Sequence, residues 1–212
     1  MATGAVSSLA VKDKDASTKT LSKITDPNNS SYLVPKVVED DALRIKSTFA
    51  TGALGVTPAA TPGVVVEIKG SATKTVRVKK IMFSGVATTA KQWPITVYRG
   101  ATAIADGTPV TPAITKYDIT NDAAATAVVS HFTANPTSPA ANPASSVLAV
   151  QDVTLTAPAT AAQPLVLDFS RSGEKAVILR GAADTLCISM GGGALTNGEK
   201  FSYMVMWEED AS

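Results

Sequence analysis

The chain has 212 residues, 5% aromatic and 17% charged, with a formal net charge of +1 and one cysteine. That length suits one large β domain, or one domain with an arm. The single Cys187 excludes an intrachain disulfide, and the balanced charge gives no support to binding along a phosphate backbone. Ala, Thr and Val make the chain apolar through many small side chains, a composition fitted to strands that each bury modest surface. The opening MATGAVSSLAVKDKD has no basic run followed by an apolar core, so no signal peptide is expected. No apolar run approaches the roughly 18 residues that span a bilayer.

Residues 1–41 differ in character from the rest of the chain. Residues 6–12 and 18–24 read as two short strands around a polar turn, and Thr25-Asp26-Pro27-Asn28-Asn29 is a strong loop signal. Tyr32-Leu33-Val34-Pro35-Lys36-Val37-Val38 reads as an extended piece. Pro35 cannot donate to a ladder, which makes the piece an edge or an arm. Too few large apolar residues are present for an independent core. The expectation is an extended N-terminal arm or small hairpin that docks on something else.

From residue 42 to 212 the period is two, the mark of strands. Leu43, Ile45 and Phe49 alternate with polar neighbours; Val64, Val66 and Ile68 alternate with Val65, Glu67 and Lys69. Val76 and Val78 continue into Ile81 and Phe83 only if one residue is inserted at Lys79-Lys80, which predicts a β-bulge. Further strands are expected at 95–99, 127–132, 147–155, 165–169, 176–179, 186–190 and 201–207. Turn residues separate them, among them Thr61-Pro62-Gly63, Asp106-Gly107 and Asn197-Gly198. Residues 121–129 are Ala-rich and form the only helix candidate, without an apolar stripe. The Pro- and Asn-rich stretch 133–146 reads as a long surface loop. In the last strand Phe201, Tyr203, Val205 and Trp207 point one way, Met204 and Met206 the other. Such a strand is either central with a covered outer face or sits at a subunit contact. The fold class expected is all-β: a β-sandwich or jelly roll with an extended N-terminal arm.

Residue types for catalysis are sparse. His131 is the only histidine, so the usual zinc sets and Ser-His-Asp triads lack partners; it reads as a partly exposed strand-end residue. Cys187 alternates with Leu186 and Ile188 and reads as a small apolar filler. The acidic runs Glu39-Asp40-Asp41 and Glu208-Glu209-Asp210 flank strand ends and read as solvated termini. Gly191-Gly192-Gly193 and Ser172-Gly173-Glu174-Lys175 lack the lysine and helix of a phosphate loop. Lys74, Arg77, Lys79 and Lys80 form the densest basic set, with no aromatics between them. They suit a solvated strand face or a salt-bridging contact with an acidic partner subunit better than nucleic acid. No catalytic, cofactor-binding or metal-ligating residue is assigned, and no enzyme is expected.

Four strings carry a family resemblance. Ala10-Val11-Lys12-Asp13 with its polar turn is followed by a D-P-x-x-x-x-Y-x-x-P segment from Asp26 to Pro35. The string Val76-Arg77-Val78-Lys79-Lys80-Ile81-Met82-Phe83-Ser84-Gly85 and the ending Phe201-Ser202-Tyr203-Met204-Val205-Met206-Trp207-Glu208-Glu209 complete the set. Together they resemble small jelly-roll virion structural proteins of tailed bacteriophages. The resemblance implies a capsid decoration or cement protein made in host cytoplasm. Its partners would be the major capsid protein or other virion proteins, with a homo-oligomeric state and no nucleic acid, membrane or cofactor. The arm would lie across a neighbouring subunit and add main-chain hydrogen bonds there, and many modest contacts would stabilise the assembled shell. The alternatives are a tail or head-fibre component and an adsorption module that binds host glycan. For the glycan module Trp93 and Tyr98 are the candidate aromatics.

Overall fold

The computed structural model describes residues 10–12, 18–20, 46–120, 122–136, 146–157, 163–170, 176–191, 193–196 and 198–211. The chain divides into two compact units, residues 1–45 and 46–212. In the first, β1 (Ala10–Lys12) and β2 (Thr18–Thr20) pair antiparallel, Ala10 opposite Thr20 and Lys12 opposite Thr18, so the central part of the expected hairpin is present. The extended piece 32–38, the acidic run 39–41 and the start of the expected strand at Leu43 and Ile45 lie outside the described residues. So do most of the loop 133–146 and the Ser172–Lys175 string.

The second unit is a β-sandwich. Its strands are β3 (Ser47–Val56), β4 (Val64–Lys69), β5 (Lys74–Val86), β6 (Lys91–Gly100), β7 (Pro109–Val110), β8 (Thr115–Lys116), β9 (Val128–Phe132), β10 (Val147–Leu155), β11 (Leu165–Asp168), β12 (Val177–Arg180), β13 (Thr185–Met190) and β14 (Lys200–Ala211). One sheet runs β10-β6-β13-β4-β9-β7 and the other β11-β5-β14-β3-β8, with β12 also on β5. Every strand pairing is antiparallel. A parallel bridge between Val86 and Thr156 ties the end of β5 to the end of β10 and so links the sheets.

The alternation in the sequence becomes the core directly. Phe201, Tyr203, Val205 and Trp207 face inward from β14; Phe49 stacks on Trp207 at 5.6 Å and Phe83 on Phe201 at 5.4 Å. Trp93, Ile68, Ile95, Leu155, Leu179, Leu186 and Ile188 complete this interior from both sheets. Each such side chain contributes about 1.5–3 kcal/mol by leaving water. The predicted bulge is present: Met206 pairs with Lys80 and the next residue, Trp207, with Val78, leaving Lys79 as the extra residue. Val78 and Ile81 are consequently both buried in the core. The bulge also marks where β5 changes partner from β11 to β12, and the Lys79 carbonyl accepts the N–H of Phe169 there.

Two readings are corrected. Of the expected helix 121–129, residues 122–127 are irregular and β9 starts at Val128. The backbone N–H groups of Thr126 and Ala127 are committed to the Glu209 carboxylate, so a helical ladder would leave that carboxylate without its donors. Glu67, read as an outward polar residue, is fully buried because the connection after β6 folds over the outer face of its sheet. That face carries a second small core of Val64, Tyr98, Ile104, Phe132 and Cys187. The two-residue strands β7 and β8 are too short to show any period and were not expected.

Candidate functional site

The basic set on β5 meets the acidic run on β14 within one chain. The ladder places Glu208 opposite Arg77 and Asp210 opposite Thr75. Arg77 Nε and Nη2 both lie 2.9 Å from Asp210 Oδ2, Lys79 Nζ is 3.3 Å from Glu208, and Lys46 Nζ is 3.6 Å from Asp210. Lys74, Arg77 and Lys79 thus find counter-charges on the next strand of the same chain, without drawing on an acidic partner subunit. These half-exposed pairs contribute little stability each, on the order of 0–1 kcal/mol.

Glu209 corrects the reading of a solvated terminus. It faces inward, buried, with its carboxylate as the hub of one end of the sandwich. Oε1 accepts the N–H of Ala127 at 2.9 Å, of Thr126 at 3.0 Å and of the Trp207 indole at 3.0 Å. Oε2 takes the Thr126 hydroxyl at 2.7 Å, and Lys74 Nζ stands 3.6 Å away. Burial pushes the carboxyl up, but the bonds from Ala127, Trp207 and Thr126 outweigh it and hold Glu209 below its ordinary range. With its lone pairs committed, this carboxylate works as a clamp between β14 and the segment leading into β9.

His131 is also not where the sequence suggests. It is buried, and its Nδ1 lies 3.1 Å from the Tyr203 hydroxyl, linking β9 of one sheet to β14 of the other. Burial lowers the imidazole and raises the Tyr203 phenol. Cys187 is buried as expected, its thiol pushed up to about 11 chiefly by burial, which removes thiolate character. Glu67, beside it, is raised by burial against the opposing effects of Ile104 N–H and Lys69. Among the described residues no group of three or more His, Cys, Asp or Glu is placed to hold a metal ion. The aromatics expected for a glycan platform, Trp93 and Tyr98, are both buried, one in the main core and one in the outer cluster.

Outward-facing apolar residues gather on the second sheet. Its ladder aligns Val166, Met82, Met204 and Gly52 in one row across four strands, and Lys80, Met206, Ala50 and Thr115 in the next. Tyr117 lies over the second row, donating its hydroxyl to the Met206 sulfur at 3.6 Å. A shallow hollow of about 550 Å³ opens beside these rows, lined by Ala50, Gly52, Ala113, Thr115 and Met204, with Leu54 at its rim. β14 is thus a central strand, and its outward Met204 and Met206 are half-buried. Leu54, 90% exposed, was not singled out from the sequence. The available signal was the alternation itself, which from Phe49 and Thr51 puts Ala50, Gly52 and Leu54 on the outward face.

Comparison with protein-family models, curated proteins and solved structures finds no match for the chain.

Proposed function

We propose that this chain is a non-enzymatic structural protein of a tailed-phage virion, a decoration or cement protein that stabilises the shell through subunit contacts. The observation that carries the reading is the division of labour among its side chains. Buried ionisable groups such as Glu67, Glu209 and His131 are tied to neighbouring strands and loops, while the outward face of the second sheet carries an apolar band. A band of that kind suits a fixed protein partner better than a small substrate. The strand order adds to it. Leaving aside β7, β8 and β9, which extend the sheets beyond β4 and β3, and counting β3, β4, β5, β6, β10, β11 with β12, β13 and β14 from one to eight, the sheets run 1-8-3-6 and 2-7-4-5. We read that interleaving as jelly-roll wrapping, the architecture the sequence resemblance implies.

Burying Trp93 and Tyr98 removes the aromatics on which a glycan-binding reading would rest. The test is immunogold labelling of purified particles together with co-sedimentation of the full chain with particles depleted of it. Label spread over the shell and restored co-sedimentation are expected. Label confined to the tail or fibres would move the protein there, and absence from particles would sink the reading.

A further inference from the structure

We infer that residues 101–108 form a strap that opens from the outer face of the β10-β6-β13-β4-β9-β7 sheet while the sandwich stays folded, and that ionisation of Glu67 loosens it. Opening bares Val64, Tyr98, Phe132 and the thiol of Cys187. The device is independent of what the chain assembles with.

The first observation is how lightly the strap is fastened between two fixed ends. Gly100 closes β6 tightly against Thr185, where a Cβ would collide with Oγ1. At the other end the Thr133 N–H donates to the Thr108 carbonyl at 3.1 Å, and Pro109 pairs with Phe132. Between these ends Ile104 is the only buried residue; Ala103 and Asp106 are half-buried and the rest are exposed. Ile104 is also the one member of the outer cluster that no strand of the sheet supplies. Its anchors on β4 are the Glu67 carboxylate, which accepts its N–H at 2.7 Å, and the Lys69 ammonium, which donates to its carbonyl at 3.1 Å. A segment held by one apolar side chain and a few hydrogen bonds opens at a free energy well below that of the whole domain.

The second observation is what the strap covers. The ladder sets Glu67 opposite Cys187 and Cys187 opposite Tyr98, one row across β4, β13 and β6. All three are buried, Glu67 and Cys187 completely. Glu67 Oε1 takes the Ile104 N–H; among the described residues Oε2 finds no hydrogen bond, and Lys69 Nζ stands 3.5 Å from it. The groups that face this carboxyl are Lys69 on its own strand, Cys187 on β13, Tyr98 on β6 and the Ile104 N–H of the strap. Of these Lys69 alone brings a positive charge, and its side chain is partly in water. Covering so thinly partnered a carboxylate costs free energy that covering the neutral acid does not. Burial accordingly raises the Glu67 carboxyl, so the closed strap holds the proton more tightly than the open one. Closure is strongest below about pH 4.5 and weakens as pH rises through the raised value.

Cys187 is the only thiol of the chain and lies in the covered row, so it reports opening. The experiment is labelling of the full chain with an aromatic disulfide reagent across neutral and mildly alkaline pH, in urea concentrations below the unfolding transition. Rates are corrected for the thiolate fraction of a free cysteine peptide. The parent should label at a rate nearly independent of urea, because a local opening exposes little surface. Ile104→Ala should speed labelling about tenfold or more. Glu67→Gln should slow it about fivefold at neutral pH and abolish its rise with pH. A parent whose labelling accelerates with urea as steeply as global unfolding overturns the strap, because Cys187 is then reached only through the unfolded chain. An Ile104→Ala variant that labels at the parent's rate does the same. A Glu67→Gln variant with the parent's rate and pH profile overturns the role of Glu67.

Discussion

Glu67 accepts the backbone N–H of Ile104 at 2.7 Å, and the Ile104 carbonyl in turn accepts a bond from Lys69, two residues along β4, at 3.1 Å. One strand thus grips both backbone polar groups of a single loop residue, and Ile104 is pressed into the outer cluster with Tyr98, Phe132 and Cys187. The grip explains a fully buried carboxylate on a face that alternation marks as polar.

Burial raises the Glu67 carboxyl above its ordinary value, so the folded chain binds that proton more tightly than the unfolded one. Its contribution is full below about pH 4.5 and is lost as pH rises through the raised value. Glu67→Gln keeps an acceptor for Ile104 and removes the buried charge. It should raise stability at pH 7 by about 1 kcal/mol, with the gain shrinking toward pH 4.5. Glu67→Ala leaves the Ile104 N–H unpaired and should cost about 1–3 kcal/mol. Urea titrations at several pH values check both, and a Gln variant less stable than the parent at pH 7 counts against the account.

Glu209 has the opposite sign. Its carboxyl is held low in the folded state, so its stabilisation is present above about pH 4.5 and is lost as pH falls through the lowered value. Glu209→Ala strands the N–H groups of Thr126 and Ala127 and the Trp207 indole. It should cost about 3 kcal/mol or more at neutral pH and flatten the acid limb of the stability curve. Equal acid sensitivity in parent and variant would show that the clamp lies elsewhere.

His131 is lowered by burial, so the folded state favours the neutral ring. Its contribution is full above about pH 6.5 and is lost as pH falls through the lowered value. Tyr203→Phe should cost about 1 kcal/mol, by removing one hydrogen bond from a site that otherwise keeps its packing. The parent's melting temperature should fall between about pH 6.5 and 5, and His131→Phe should remove that fall. An unchanged fall in that variant assigns it to another group.

Among the described residues both apolar clusters lie between Phe49 and Trp207, and residues 1–45 form a compact unit of their own. Removing residues 1–40 should therefore leave a single cooperative unfolding transition, while the proposed function has the shortened chain fail to join depleted particles. Loss of cooperativity would make the N-terminal segment part of the core. Undiminished co-sedimentation would show that the β domain alone carries the contact.

Much of the architecture was legible along the chain because a strand's side chains alternate whatever surrounds it. The set Phe201, Tyr203, Val205, Trp207 named its own inward face, and the slip at Lys79-Lys80 named its own bulge. Gly55 was a visible mark, but the bulge there, with Leu54 and Gly55 opposite Ser202, depends on that distant residue taking the Gly55 N–H. Alternation reports which residues share a face and is silent on what covers that face. Whether Glu67 is wet or dry was decided by Ile104, and whether Glu209 is a terminus or a clamp by Thr126 and Ala127. The cations on β5 were equally undetermined until β14 brought its acids alongside. These outcomes rest on contacts between distant segments, where a desolvated charge is tolerable only if a backbone N–H arrives to meet it. Strand identity was therefore local information, while burial, charge partnership and the open methionine face were settled only by how the two sheets and their connections closed over one another.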